Sequence, residues 1–264
     1  MLGRLSIKLI LVFLALLATK LDAQSNQLSI GAASSLQDVL KEAGDYWMKN
    51  SRGSVNLSYN FSGTSTLIRQ VKLGAPIDLL ISAARSHVDE IIKDGLGIKK
   101  SLKTLASNRL VLVTASENKV KVVNLNQIAK NTEVKIATCD EAVPIGFYTH
   151  SYLRKLGLYE QMKSKFIYTD HVRSILRMVA NKTTQYGFVY LTDAISDSKR
   201  VKVIEEAADK HHPPIEYQGL ILTRTSQETR NLAAAFLEFL SSPSGQAIFS
   251  KHGFKNAGLQ IAAQ

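Results

Sequence analysis

The alternation of strand-like and helix-like segments is the feature that most constrains the fold of this chain. Short apolar runs such as residues 28–32 and 78–82 are followed by segments whose apolar residues recur at helical spacing, such as residues 36–47. Strands that alternate with helical segments are typical of βαβ units, in which the crossover makes the neighbouring strands parallel. The pattern therefore predicts an α/β fold of mainly parallel sheets with helices on both faces.

The pattern restarts after about 108 residues. We predict further strands at 109–114, 134–138, 186–190, 201–204 and 217–223, and helices at 148–156, 172–179, 228–240 and 244–252. No segment is rich enough in Pro or Ser to be a flexible linker, and no internal sequence repeat is evident. We therefore predict two lobes joined by ordered strands, with residues 24–108 and 219–264 in the first lobe and residues 109–218 in the second.

The first 23 residues have the features of a secretory signal peptide. Arg4 and Lys8 precede a short apolar run at 9–18, and a small residue, Ala23, stands at the expected cut. The run is shorter than the roughly twenty apolar residues that a membrane-spanning helix needs. No cysteine lies near the cut to carry a lipid anchor. We expect removal of residues 1–23 and an exported, soluble mature protein.

Charge and cysteine content exclude several classes of protein. The formal net charge is +11, but the basic residues are scattered and form no basic helix or aromatic-basic alternation. We therefore expect a solvated basic surface and no nucleic-acid partner. The single cysteine, Cys139, excludes an internal disulfide framework and every Cys-cluster metal site, and we expect it to be a small buried residue.

Uncharged polar residues gather where predicted strands lead into helices. In open α/β sheets, ligands lie beyond the carboxyl ends of the strands, where helix N-termini present free N–H groups. Each junction alone could be an ordinary helix cap, worth about 1 kcal/mol. Together they carry hydroxyls and helix-terminal amides with no Lys or Arg, a combination that suits a compact, fully ionised oxyanion. The junctions are Ser34–Ser35, 62–66, 143–146, 170–172 and Tyr190.

Seven segments, in order along nearly the whole mature chain, resemble the periplasmic molybdate-binding proteins of ABC importers. They are AASSL (32–36), GTSTLIRQV (63–71), GAPIDLLISA (74–83), VPIGFYTHSYLRKLGL (143–158), HVRSILRMV (171–179), GFVYLTDA (187–194) and FLSSPSGQAIFSKHGF (239–254). This resemblance implies a two-lobed type II periplasmic-binding-protein fold that closes over a tetrahedral oxyanion in the cleft between its lobes.

The resemblance also implies which residues bind the anion. It assigns hydroxyl donors at Ser35, Thr64 and Tyr190, amide donors at Ile145 and Val172, and Ser65 as a secondary hydroxyl position. His171 stands where the family more often has Asp or Asn. A protonated histidine there would add charge beside the anion, whereas the simpler expectation is an exposed side chain.

The function implied by the resemblance is capture of molybdate, and of tungstate, for delivery to an ABC importer. The permease and ATPase of this importer would be the partners of the protein. The protein would lie in the periplasm and would contact the membrane only through the permease. We expect a monomer that is not an enzyme, with no cofactor and no cation site. The alternatives are a binding protein for sulfate, phosphate or a small organic anion, and the effector domain of a transcription regulator.

Enzymatic alternatives have weaker support in the sequence. An exported serine hydrolase could use Ser35 or Ser65, but no G-x-S-x-G elbow is present. Ser116 and Lys119 fit an S-x-x-K spacing in a polar loop without partner motifs. A hydroxymethylbilane-forming enzyme has a similar two-lobed architecture and also uses a cysteine, but this sequence lacks the pattern of an arginine-lined cleft. The adjacent His211 and His212 are expected in a loop, where they would not form a metal site.

Overall fold

The computed structural model describes residues 27–51, 55–118 and 124–256. In it the chain forms two β-sheets flanked by helices. The predicted signal peptide lies outside the described residues. The strands are β1 (Gln27–Ala33), β2 (Asn56–Ser62), β3 (Leu79–Ser82), β4 (Lys103–Ser107), β5 (Leu110–Ala115), β6 (Ile136–Cys139), β7 (Phe166–Thr169), β8 (Tyr186–Tyr190), β9 (Val201–Glu206), β10 (Glu216–Ile221) and β11 (Lys255–Asn256).

The α-helices lie mostly between consecutive strands. They are α1 (Gln37–Asn50), α2 (Thr64–Lys72), α3 (Arg85–Lys93), α4 (Leu125–Lys130), α5 (Pro144–Lys155), α6 (Tyr159–Met162), α7 (Val172–Ala180), α8 (Leu191–Ser196), α9 (Gln227–Ser241) and α10 (Pro243–Lys251). A short 3₁₀ turn, Ser34–Leu36, separates β1 from α1. None of the helices in the described segments is long and apolar enough to span a bilayer.

Each sheet contains three parallel strands, and these three strands have the same arrangement in both sheets. The first sheet has the order β11-β4-β10-β3-β1-β2, and the second has the order β7-β6-β8-β5-β9. In the first sheet β1 pairs in parallel with β2 and β3, and in the second β6 pairs in parallel with β7 and β8. In each trio the strand that comes first in the chain is central, and helices connect the three strands in succession.

The remaining strand pairs are antiparallel, which corrects the prediction of mainly parallel sheets. In the first sheet β10 is antiparallel to both β3 and β4, and in the second β5 is antiparallel to both β8 and β9. The physical reason lies in the connections: β5 and β10 each enter their sheet directly from the other sheet. Neither follows the helical crossover within one sheet that makes neighbouring strands parallel. The α/β class and the two sheets are confirmed.

Two connections cross between the sheets. Asn108 and Arg109 join β4 to β5, and residues 207–215 join β9 to β10. The second sheet therefore comes from one continuous stretch of chain, inserted into the sequence of the first. The division into two lobes stays a prediction, and its boundary at 218 lies inside a strand, because β10 begins at Glu216 and pairs in the first sheet.

Some elements begin elsewhere than predicted, or were not predicted. Helix α5 begins at Pro144, four residues before the predicted start at 148, because proline is favoured in the first turn of a helix although it is read as a breaker in sequence. Strand β4 was not predicted. Its sequence, KTLAS, is short, and its first residues are only partly buried.

Candidate functional site

A small cavity lies where the carboxyl ends of the parallel strands of both sheets meet. The space between its lining atoms, part of which is open to solvent, is about 210 Å³, so the cavity suits a compact ion. The first-sheet side is lined by Ala33, Ser34, Ser35, Ser62, Gly63, Thr64 and Ala83, and the second-sheet side by Val143, Pro144, Ile145, Val172 and Tyr190. Every one of these residues ends a parallel strand or follows one.

The structure brings together five of the six residues predicted to bind a ligand. Ser35, Thr64, Ile145, Val172 and Tyr190 all line the cavity. Ser65, the secondary position, is not among the lining residues, and it is only partly buried. It follows Thr64 by one residue in α2, and consecutive side chains of a helix point about 100° apart.

The two hydroxyls on the first-sheet side are buried and held from behind. Thr64 is 1% exposed, and its Oγ1 accepts a hydrogen bond from the backbone N–H of Ala83 at 3.3 Å. Ser35 is 3% exposed, and its Oγ lies 3.0 Å from the hydroxyl of Tyr217 in β10. Because Thr64 accepts from a backbone amide, its own proton is available to a ligand in the cavity.

Helix N-termini supply the donors on the second-sheet side. The first N–H groups of a helix have no acceptor within the helix. Pro144 has no N–H, and Phe147 N donates to Val143 O at 2.9 Å, so the amide of Ile145 is the first free donor of α5. Val172 is the first residue of α7, where its amide is likewise unpaired by the helix. The dipoles of both helices add partial positive charge at this point.

Two glycines let the backbone pack closely around the cavity. A Cβ on Gly63 would lie 2.5 Å from the carbonyl oxygen of Asp170, which belongs to the second-sheet side. A Cβ on Gly146 would overlap the carbonyl oxygens of Cys139 and Asp140. The first contact shows that the two sides of the cavity touch, and the second fixes the start of α5 against the end of β6.

Tyr190 contributes a buried hydroxyl without a partner. Its side chain is 2% exposed and lines the cavity, and its hydroxyl has no hydrogen-bond partner among the described residues. Burial raises the pKa of this phenol well above its usual value, so it remains a proton donor. A buried polar group left unpaired costs about 1–3 kcal/mol, and a ligand in the cavity would remove that cost.

Among the residues that the structure describes, no Lys, Arg, His, Asp or Glu lines the cavity. The nearest cation in the sequence, Arg173 beside Val172, is engaged elsewhere: its guanidinium lies 2.7 Å from carboxylate oxygens of both Asp38 and Asp193. The contact with Asp193 lacks hydrogen-bond geometry. Asp193 is fully buried, and burial raises its pKa to about 6 despite the neighbouring guanidinium. The charge of Arg173 is therefore paired with those of the two carboxylates, and Arg173 does not line the cavity.

His171 is a helix cap, which differs from the expected exposed side chain. Its side chain is 19% exposed, and Nδ1 accepts from Ser174 N at 3.3 Å at the start of α7. Burial is the main reason that the pKa of His171 is lowered. It does not line the cavity.

The residues behind the enzymatic alternatives are arranged for other roles. Cys139 is buried as predicted, and burial raises its pKa to about 12, which disfavours a thiolate nucleophile. The predicted loop position of the histidine pair is confirmed: His211 ends a short 3₁₀ turn and His212 follows it. Across 27–51, 55–118 and 124–256, no three His, Cys, Asp or Glu side chains are grouped to hold a metal ion. Lys119 lies outside the described residues.

A sequence model of the family described as bacterial extracellular solute-binding protein matches residues 28–255. The chain belongs to this family. Its members are transport proteins, which confirms the prediction of a binding protein rather than an enzyme. The cavity between the sheets is thus the candidate solute site of an extracellular solute-binding protein of ABC transporters.

Individual relatives are similar over most of their length. YvgL of Bacillus subtilis, named as a candidate ABC transporter substrate-binding lipoprotein, is 33% identical over 86% of this chain and 85% of its own. The molybdate-binding protein ModA of Haemophilus influenzae is 30% identical over 88% of this chain and 91% of its own. Among solved structures, the sulfate-binding protein SubI of Mycobacterium tuberculosis has a TM-score of 0.76 at 15% identity, covering 90% of this chain and 89% of its own. At that identity the similarity shows the fold alone, and the periplasmic-binding-protein fold is confirmed.

The sequence did not point to the residues behind the cavity. Tyr217 contacts both Ser35 and Asn108, yet it lies 182 positions from Ser35. No local pattern in the sequence signals a contact over such a distance.

Proposed function

We propose that this solute-binding protein captures molybdate, and tungstate with it, in the cavity between its sheets. The observation that carries the proposal is the buried, unpartnered hydroxyl of Tyr190 in a cavity whose other donors are hydroxyls and main-chain amides. Such a site offers hydrogen bonds and partial positive charge to a small anion. The low polarity of the surroundings strengthens those interactions relative to water.

The chemistry of the donors favours an anion that carries no proton. Hydrogen phosphate must donate a proton to its site, and the described lining of this cavity contains no carboxylate to accept one. Sulfate and molybdate need donors only, so size must separate them. A cavity fitted to the larger molybdate leaves the oxygens of sulfate too far from several donors, and each lost charge-assisted bond costs about 1.5–3 kcal/mol. Tungstate is nearly the same size as molybdate and is expected to bind with it.

Closure of the cleft accounts for the position of the donors. Ser35 and Thr64 come from the first sheet, whereas Ile145, Val172 and Tyr190 come from the second. A hinge motion at the two crossing connections would bring both sets onto one ion. Contacts between the sides support this: Tyr148 Oη of α5 donates to the carbonyl oxygen of Ala83 at 3.2 Å, in addition to the packing of Gly63.

The remaining parts of the proposal concern the compartment, the oligomeric state and the partners of the protein. The protein acts as a monomer in the periplasm after removal of residues 1–23, with the two lobes divided near the crossing connections. The closed, loaded form presents its solute to the permease and ATPase of an ABC importer. A relative named as an ABC transporter substrate-binding lipoprotein and one named as molybdate-binding protein ModA support the assignment to an importer.

Calorimetry on the mature chain with molybdate, tungstate, sulfate and phosphate tests the proposal. Molybdate and tungstate are expected to bind tightly and to raise the melting temperature by mass action. Sulfate should bind at least about 100-fold more weakly, which corresponds to the loss of two such bonds, and phosphate more weakly still. Equal affinities for molybdate and phosphate would overturn the specificity. Binding of none of the four would overturn the proposal as a whole.

Sulfate is the second candidate solute. A cavity with donors only suits sulfate as well as molybdate, and SubI, with the same fold, is named as a sulfate-binding protein. Sulfate binding more tightly than molybdate in the same calorimetry would establish this alternative.

A further inference from the structure

A buried hydrogen-bonded chain lies directly behind the cavity. Tyr217, in the middle of the first sheet, is 0% exposed and does not line the cavity. Its hydroxyl lies 3.0 Å from Ser35 Oγ and 3.1 Å from Asn108 Nδ2. Asn108 belongs to the two-residue connection between the sheets, and its Nδ2 also donates to Thr192 Oγ1 in α8 at 2.9 Å.

The neighbouring groups indicate the direction of each hydrogen bond in this chain. Asn108 Oδ1 accepts from the backbone N–H of Arg109 at 2.8 Å, which sets which end of the amide faces Tyr217. An amide nitrogen can only donate, so the Tyr217 oxygen accepts from Asn108. Among the described partners of the phenol, Ser35 Oγ is the one acceptor for its proton, and leaving a buried proton unpaired costs about 1–3 kcal/mol, so we assign Tyr217 as the donor to Ser35. The proton of Ser35 is consequently free for the cavity.

The hydroxyl of Thr64 is also held with its oxygen as an acceptor, but by a backbone amide. Its oxygen accepts from the backbone N–H of Ala83, which leaves its proton for the cavity as well. The structure thus holds both first-sheet hydroxyls with their oxygens occupied from behind. A hydroxyl held in this way donates to a ligand and is a poor acceptor of a proton from one.

We propose that Tyr217 is a positioning residue that fixes Ser35 as a donor and so makes the cavity discriminate against oxyanions that carry a proton. This proposal rests on the proposed function of the cavity. Sulfate and hydrogen phosphate are the suitable probes, because both are small tetrahedral oxyanions of the same charge, and only hydrogen phosphate must donate a proton. Without the Tyr217 hydroxyl, Ser35 can rotate and accept that proton.

The test is the ratio of sulfate to phosphate affinity, measured with molybdate affinity at a pH near 8, where phosphate carries one proton. In Tyr217→Phe we expect molybdate and sulfate to bind about tenfold more weakly, since Ser35 loses its fixed orientation. Phosphate affinity should be unchanged or higher, so the ratio should fall at least about tenfold. Tyr152→Phe is the matched control, because it removes a buried phenol that bonds to Glu205, away from the cavity. It should leave the ratio unchanged.

A double-mutant cycle separates positioning from a general structural role. If Tyr217 acts through Ser35, the substitution Tyr217→Phe should not change the ratio further in a Ser35→Ala background. Equal weakening of sulfate and phosphate by Tyr217→Phe, or the same fall in ratio in the Ser35→Ala background, overturns the positioning role. Failure of the unsubstituted protein to bind any of the three anions instead overturns the proposed function, so the two failures are distinguishable.

Discussion

The two sides of the cavity contribute donors of different kinds from the same strand arrangement. The trio β2-β1-β3 leads to the side-chain hydroxyls of Ser35 and Thr64, whereas the trio β7-β6-β8 leads to the main-chain amides of Ile145 and Val172. Of the described residues that line the second side, Tyr190 alone offers a side-chain donor. A side-chain donor can be removed by one substitution, but an amide donor is removed only by moving the helix that carries it.

The difference extends to what holds each donor in place. On the first side, hydrogen bonds from Ala83 and Tyr217 orient the hydroxyls. On the second side, close packing does so, since Gly146 lies against the carbonyl oxygens that end β6. We therefore expect the first side to be sensitive to loss of polar atoms and the second to be sensitive to added volume.

The largest effect is expected from Gly146→Ala. The added Cβ overlaps two carbonyl oxygens and must displace the start of α5, and the amide of Ile145 moves with it. Loss of this amide bond, together with displacement of the lining residues Val143 and Pro144, should weaken anion binding at least about 100-fold, measured by calorimetry with molybdate.

Gly157→Ala is the matched control just beyond the other end of α5. Its φ of 71° strains an alanine, so it should lower the melting temperature. A Cβ there meets nothing within 4 Å, and affinity should be retained. Comparable loss of affinity in both variants would show that stability rather than placement of the amide is responsible.

The substitution Thr64→Val tests the first side with almost no change of shape. It removes the hydroxyl and should weaken molybdate binding about 10- to 150-fold, corresponding to one charge-assisted bond of about 1.5–3 kcal/mol. Ser65→Ala, at the next position of the same helix, should change affinity by less than about twofold, because Ser65 does not line the cavity. The reverse order of effects would make Ser65 the donor.

Tyr190→Phe should have opposite effects on affinity and stability. Loss of the hydroxyl should weaken binding about tenfold, while the anion-free protein becomes about 1–2 kcal/mol more stable, because a buried unpartnered polar group is removed. Calorimetry and thermal unfolding without anion measure the two effects. Unaltered affinity would remove Tyr190 from the site.

The effect of His171 should appear in stability at acidic pH. Its lowered pKa means that the folded protein prefers the neutral ring, so the unfolded chain takes up the proton first as the pH falls below 6.5. Stability is then lost towards low pH, and protonation of Nδ1 also removes a helix cap worth about 1 kcal/mol. Melting temperatures of His171→Asn between pH 8 and 5 should vary less than those of the unsubstituted protein. Identical profiles would contradict this role.

The smallest change in affinity is expected from Ile145→Val, which keeps the amide. The buried side chain loses one methylene, so stability should fall by about 0.5–1.5 kcal/mol. Molybdate affinity should stay within about threefold. A larger loss would mean that the side chain of Ile145, and not only its backbone, shapes the site.

The sequence predicted features of the fold that local patterns encode. Strand β8 has its predicted bounds, because its run of residues is apolar and ends at a polar junction. The direction of β5 and β10 was not predictable in this way, since it depends on connections between the sheets. Helix α5 was predicted to start too late because Pro144 and Gly146 resemble a turn in sequence, whereas here they begin the helix.

For the site, resemblance and local pattern contributed different parts. The hydroxyl residues stand out in the sequence, whereas an amide donor such as that of Val172 has no side-chain signal and came from the resemblance alone. The arrangement around the cavity now agrees with both, and the binding roles stay predictions. The contacts of Tyr217 with Ser35 and Asn108 were not predicted, because these partners are distant in sequence.

The insertion of the second sheet into the sequence of the first has a consequence for folding during synthesis. All five strands of the second sheet come from residues 110–206. In the first sheet, β10 separates β3 from β4, so these two strands have no common neighbour until residue 221 has left the ribosome. Contacts over such sequence separations form late. The second sheet can therefore be complete while the first sheet, which contains β1, still lacks β10.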